Sequence, residues 1–336
     1  MKGFFLILLL VLLTVSVFPG KRVTLAELVN PDSIEVDKYR VYITEGTSIY
    51  IYDLENFKMK TKFGKRGEGP KEFMANRQSG NPPLTINVQT KNIVVNSLNK
   101  VSFFSKDGNF KTEQKVGAFS DRFIPLGKGF AAQTLTTEEG KRYWRLDIYD
   151  SNLNKVKGVF KIEHHFQGLG KGFKVLQESR LYAAYDNKLF VAWEKDFNIR
   201  VFDSHGETLY SVNYNYKKLP VTEEDRRRII EYFKTNPHLK ELYDAIKPIQ
   251  FPKYYPALRN MQINDGKIYA ITFKRSNEKT ECLIIDLKGK LLDKIYLDLK
   301  TIDIFALYPF TINNRNIYQL VETEDETWEL HIDSIK

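Results

Sequence analysis

Cysteine is all but missing from this sequence: Cys282 is the only one in 336 residues. No internal disulfide can form, no C-x-x-C redox or zinc motif exists, and no cysteine follows the N-terminal apolar run to carry a lipid. Cys282 itself lies between Glu281 and Leu283 in a strand-like run and reads as an inert buried thiol. Histidine is scarce, limited to His164, His165, His205, His238 and His331, with no H-E-x-x-H element. The adjacent pair His164-His165, placed on a strand, points to opposite faces and cannot share one metal ion. A G-x-S-x-G nucleophile elbow is also absent. Gly64-x4-Gly69 imitates the opening of a phosphate-binding loop, but Pro70 stands where that loop needs lysine. Glu223-Glu224-Asp225 reads as a helix start, and 322–326 as a solvated hairpin tip. These absences leave no catalytic residues and no local metal motif. A calcium ion held by carbonyls and carboxylates in a channel needs no local motif and stays open.

Lysine and arginine exceed the acids by 51 to 42, a formal charge of +9. They are spread along the chain rather than gathered in one basic, aromatic-interleaved stripe, which argues against nucleic acid as a partner. Residues 1–20 read as a signal peptide, with Lys2 ahead of the apolar run Phe4–Leu13 and a cleavage site after Ser16 or Gly20. The run is short of the roughly 20 residues a membrane span requires. The expectation is an extracytoplasmic monomer, periplasmic or secreted, with no stable membrane span after cleavage.

Aromatic residues make up 13% of the chain, mostly Tyr and Phe, and favour strands. Aligning the apolar runs exposes a repeated ending: Ile51-Tyr52-Asp53, Phe103-Phe104-Ser105, Ile148-Tyr149-Asp150, Val201-Phe202-Asp203, Ile284-Ile285-Asp286 and His331-Ile332-Asp333. Most spacings fall near the roughly 40–50 residues of a propeller blade. Pro31, Pro83, Pro125, Pro256 and Pro309 precede or begin the first strand of five copies, where no ladder donor is needed. Asp107-Gly108, His205-Gly206 and Lys288-Gly289 read as equivalent turns between third and outer strands. The fold expected for 21–336 is therefore all-β, a six-bladed β-propeller built of four-stranded meanders.

The long interval between the fourth and fifth markers holds a helical hairpin insertion at about 221–247. Thr222 is the expected N-cap of its first helix, and Asn236-Pro237 the expected cap of a second that ends before Pro248. Leu239, Leu242, Tyr243 and Ile246 are expected on one face of that second helix, and the hairpin is expected to pack on the propeller rim. The sixth repeat lacks residues for an outer strand after Asp333. The segment Arg22–Leu28 is the candidate to supply it, closing the ring and covering an otherwise exposed edge.

The loop Phe63-Gly64-Lys65-Arg66-Gly67-Glu68-Gly69-Pro70-Lys71-Glu72-Phe73 and the element Asn99-Lys100-Val101-Ser102-Phe103 resemble NHL-like repeats. The closer similarity is to exported six-bladed β-propellers carrying a G-x-G-P-x-E-F loop. Lys71 replaces the loop's third glycine, and Asn96 stands where the repeats usually carry Asp. What the resemblance implies is a fold more than an activity.

Residues expected to enter or begin innermost strands form the candidate ligand site: Arg66, Lys71, Arg77, Arg122, Arg180, Tyr254, Tyr255, Arg259 and Tyr308. Arginines converging from several blades suit a carboxylate or phosphate. Salt-bridging between neighbouring blades would use the same residues. The leading expectation is a non-enzymatic binding propeller that recognises a protein, peptide or glycan through its channel face, without a cofactor. The alternative is a lyase or lactonase-type enzyme with a channel metal.

Overall fold

The computed structural model describes residues 20–74, 84–98, 100–116, 120–164, 172–177, 180–193, 195–237 and 239–335. Residues 1–19, which hold most of the expected signal peptide, and Arg77, Pro83, Asn99, His165 and His238 lie outside the described residues.

Six antiparallel four-stranded sheets stand round one axis, giving a six-bladed β-propeller. Blades one to five occupy 33–63, 85–115, 120–163, 181–213 and 260–297, each a meander from innermost to outer strand. Each innermost strand packs beside the next, and Phe310–Asn313 of blade six returns to Ser33–Val36 of blade one. Blade six is a composite. Its first three strands are Phe310–Asn313, Asn316–Glu322 and Trp328–Ser334, and its outer strand is Lys21–Thr24. The register sets Arg22 opposite His331 and Val23 opposite Leu330. Beyond that strand, Leu25 and Leu28 are buried among Ile34, Tyr318 and Trp328.

Alternation along each strand feeds two cores at once. In the blade-one strands Arg40–Glu45 and Ser48–Asp53, Val41, Ile43, Tyr50 and Tyr52 pack toward blade six, while Tyr42, Ile49 and Ile51 pack toward blade two. A period of two therefore buries both faces. Among the described residues each of the six blade interfaces has its own hydrophobic cluster. Cys282 belongs to the one between blades five and six. Burial and the neighbouring Glu281 and Asp293 carboxylates push its thiol up to about 12, so it stays protonated and unreactive.

The repeated aspartate has a physical job. Asp286 Oδ1 accepts from the backbone N–H of Lys288 and Lys290, both at 2.9 Å. Asp150 does the same for Asn152 and Asn154, Asp203 for His205 and Glu207, and Ser105 substitutes its hydroxyl toward Asp107 and Asn109. These bonds hold the turn into the outer strand, and Gly108, Gly206 and Gly289 take the left-handed conformation it needs. Hydrogen bonds from backbone N–H groups hold the Asp150, Asp203 and Asp286 carboxyls below the usual carboxylate range.

The loop ahead of blade two is pinned from beneath. Phe73 is fully buried in the cluster between blades one and two. Lys100, itself buried, donates to the carbonyls of Glu68 and Gly69 at 3.3 and 2.7 Å and pairs with Glu113 at 2.9 Å. Lys71, at the position of the missing glycine, adopts φ +62° and carries the strain a glycine would avoid. Asn96 is buried and clamps blade three, donating to the Phe123 carbonyl at 3.1 Å and accepting from its N–H at 2.9 Å. An aspartate there could accept but not donate.

Three expectations need correction. Pro125 lies inside its strand, Ser120–Leu126, opposite Phe130, rather than at the strand's start. An innermost strand has one edge free of its own sheet, and proline is tolerated on that edge. Asn236 terminates the first helix instead of capping the second. Helix α1 is Glu223–Thr235, started by a capping box between Thr222 and Asp225, and Asn236 is its C-cap. Helix α2 is the shorter Lys240–Ile246. Leu239, Tyr243 and Ile246 pack inward with Ile229, Phe233, Ile304 and Phe305, whereas Leu242 faces solvent at 51% exposure. The strands Phe173–Lys174 and Ile249–Gln250 pair in parallel, tying the base of the hairpin to the connection ahead of blade four. Tyr232 donates to Asp303 at 2.7 Å, tying α1 to the connection ahead of blade six.

Candidate functional site

The six innermost strands enclose a channel of about 1080 Å³. Their short alternating sequences decide its wall. In Ser33-Ile34-Glu35-Val36 the isoleucine and valine pack between blades, leaving the serine and glutamate to the channel. Thr85, Asn87, Arg122, Asn260 and Gln262 contribute further polar groups, and the connection 305–309 brings Phe305 and Tyr308 to the wall.

Two arginines stand in this wall in different electrostatic states. Arg122 of blade three donates to Asn87 Oδ1 of blade two at 3.1 Å and lies 3.8 Å from the Glu35 carboxylate of blade one. Tyr182 of blade four adds a bond to the Arg122 carbonyl at 3.0 Å. Packing into the wall desolvates Glu35, although its side chain stays 32% exposed. That desolvation raises the carboxyl above its usual value, and Arg122 only partly offsets it. Arg259 donates to the Phe305 carbonyl at 3.1 Å and lies 5.7 Å from the Phe273 ring centre. Among the described residues it has no carboxylate within ion-pair distance. Burial and the positive charge of Arg275 lower its pKa, but guanidinium remains charged at any ordinary pH. The Nε atoms of both arginines, Thr85 Oγ1 and Asn260 Oδ1 are buried without a hydrogen-bond partner among the described residues.

Of the residues expected at the site, Arg122, Arg259 and Tyr308 line the channel. Arg66 and Lys71 are exposed on the loop ahead of blade two. Arg180 stacks 3.9 Å above the Trp144 ring. Tyr254 is exposed and bridges to Pro220, while Tyr255 stacks on Phe273 at 4.9 Å and lines a separate pocket between blades four and five. Arg77 lies outside the described residues. Glu35, Asn87 and Asn260 escaped the sequence reading. Their only signal is a polar residue at the alternate position of a very short strand. Among the described residues no three His, Cys, Asp or Glu side chains gather as a metal-ligating group.

No protein-family model and no curated protein sequence matches the chain. Solved structures do. An exported protein from Bacteroides fragilis is similar with a TM-score of 0.52 at 13% identity, over 94% of this chain and 95% of that one. A member of the DUF4221 family from Bacteroides vulgatus gives 0.46 at 12% identity, over 94% and 99%. At such identities the likeness to the Bacteroides fragilis protein is one of fold, over 94% of this chain and 95% of that one.

Proposed function

We propose that the chain is an exported binding propeller whose channel face recognises a protein, peptide or glycan through an anionic group, a carboxylate or a phosphate. The observation that carries this reading is Arg259. A partly buried cation normally has an anionic partner, because desolvation without pairing is costly. Among the described residues Arg259 touches a carbonyl and an aromatic ring, the Asp303 carboxylate acts on it only from beyond ion-pair distance, and its Nε has no partner. Arg122 is already engaged with Glu35, so it supports the wall, and the ligand anion belongs on Arg259. The leader-like segment 1–20 supports export, and no described helix is long and apolar enough to cross a membrane. The lyase or lactonase reading finds less support, because Glu35 faces Arg122 and, among the described residues, no metal-ligating group assembles beside it.

The test is isothermal titration at low salt with inorganic phosphate, acetate and a triglutamate peptide. At least one should bind saturably, weaken as salt is added, and lose about tenfold or more in affinity in Arg259→Ala, with Arg259→Lys intermediate. Binding indifferent to Arg259, or none from the three anions, overturns the reading.

A further inference from the structure

A second concavity, about 640 Å³, opens between blades four and five, apart from the channel wall. It is built from three stretches: 195–198 ahead of the third strand of blade four, 213–218 beyond its outer strand, and Tyr255 with Ala257 ahead of blade five. Its size falls within the range of small-ligand sites, roughly 300–1,000 Å³. Its chemistry is unusual for one. Among the described residues Ala257 is the only aliphatic side chain in the lining. The rest are four aromatics (Phe197, Tyr214, Tyr216 and Tyr255), three asparagines and the charged Lys195, Asp196 and Lys218.

The aromatics form a braced group. Phe197 is buried and holds Tyr214 edge-on at 5.4 Å and Tyr216 at 6.3 Å, while both tyrosines remain half-buried at the pocket. The run Asn213-Tyr214-Asn215-Tyr216 interleaves these rings with amides, each offering two donors and an acceptor. Asn198 adds a third amide, whose Oδ1 meets no donor among the described residues. At the rim Lys218 and Asp196 neutralise each other at 2.8 Å.

Rings beside amides, with hardly any aliphatic surface and little net charge, match one ligand chemistry. A pyranose ring shows an apolar C–H face, whose positive edge suits the negative face of an aromatic ring. Round its edge lie hydroxyls that both donate and accept, as amides do. A peptide would need aliphatic recesses for its side chains, and a phosphorylated ligand more than one unpaired cation. We infer that this pocket is a binding site for a neutral saccharide. The site does not depend on the anion reading of the channel.

The probes are maltotriose, cellotriose, mannotriose and triacetylchitotriose, followed by saturation-transfer NMR and by titration calorimetry. At least one should bind saturably, and Tyr214→Ala should weaken it by about tenfold or more. Because Tyr214 also braces Phe197, its loss could unsettle the fold. Asn213→Ala and Asn215→Ala, at exposed positions, should then weaken binding with an unchanged melting temperature. Arg122→Ala, in the channel wall, should leave saccharide binding intact. Absence of saturable binding by all four sugars, binding that survives the asparagine and tyrosine substitutions, or loss of binding in Arg122→Ala would each overturn the inference.

Discussion

In blade five the marker aspartate, Asp286, folds a hairpin by holding two N–H groups within four residues of itself. In blade six the matching Asp333 has no hairpin to fold. Its Oδ1 instead meets Arg22 at 3.2 Å, a residue from the opposite end of the chain. The repeat is the same, but the outer strand arrives by a local turn in one blade and by a long-range pairing in the other. The difference teaches that a conserved place in a repeat need not mean a conserved task. It also marks blade six as the joint of the ring.

The sharpest way to break the comparison is to remove the joint. Deleting residues 21–28 takes away the outer strand together with buried Leu25 and Leu28. At roughly 1.5–3 kcal/mol for each buried leucine, the loss should be about 4 kcal/mol or more. Thermal unfolding should shift as a whole, and hydrogen exchange should rise in blades one and six together. Loss of protection confined to Trp328–Ser334 would show that the ring closes without that strand.

Exchanging the aspartates sharpens the comparison at a smaller scale. Asp286→Ala should lower the melting temperature by a few degrees, since two turn N–H groups lose their acceptor. Asp333→Ala should cost less than about 1 °C, because an exposed ion pair contributes little. Equal shifts in the two variants would mean that Asp333 does more than face Arg22.

Acid offers a third handle. His331 lies half-buried opposite Arg22, with Glu329 and Asp333 on its own strand and Gln319 on the next. Burial lowers its pKa; Glu329, at 3.0 Å, opposes the shift and Arg22 adds to it. The unfolded chain therefore takes up the proton first, and the stability contributed by neutral His331 is lost as pH falls below the ordinary value of 6.5. His331→Gln should flatten that part of the stability profile, and a profile unchanged by the substitution would exclude His331 as its source. The smallest expected effect belongs to the strained loop: Lys71→Gly should raise the melting temperature by about 1–2 °C by relieving the left-handed backbone. A lower melting temperature would mean that the side chain stabilises more than the strain costs.

The blades were legible because their signals are local. Asp150, Asp203 and Asp286 bond to groups two to four residues away, so each turn is written in a few consecutive letters. The closing strand was legible from its partial alternation and its place ahead of Pro31, although it spans Lys21–Thr24 rather than the expected Arg22–Leu28. The channel was only half legible. Glu35, Asn87 and Arg122 come from three blades, and their meeting depends on how innermost strands converge, which no short pattern encodes. Arg66 was misleading for the converse reason: it sits within the most recognisable loop, yet that loop keeps it exposed. The pocket between blades four and five was not anticipated, because its walls are drawn from three segments spread over about 60 positions.

The composite blade also carries a temporal meaning. Arg22 and Asp333 are 311 positions apart, so the strand synthesised earliest among those described must await a partner that emerges last. Five blades can form hairpin by hairpin as the chain appears, while Trp328–Ser334 keeps a bare edge until that meeting. Such remote pairing is slow to find. The sixth blade is thus the final step of assembly, and the interval before it is when two unfinished chains are best placed to exchange their first strands.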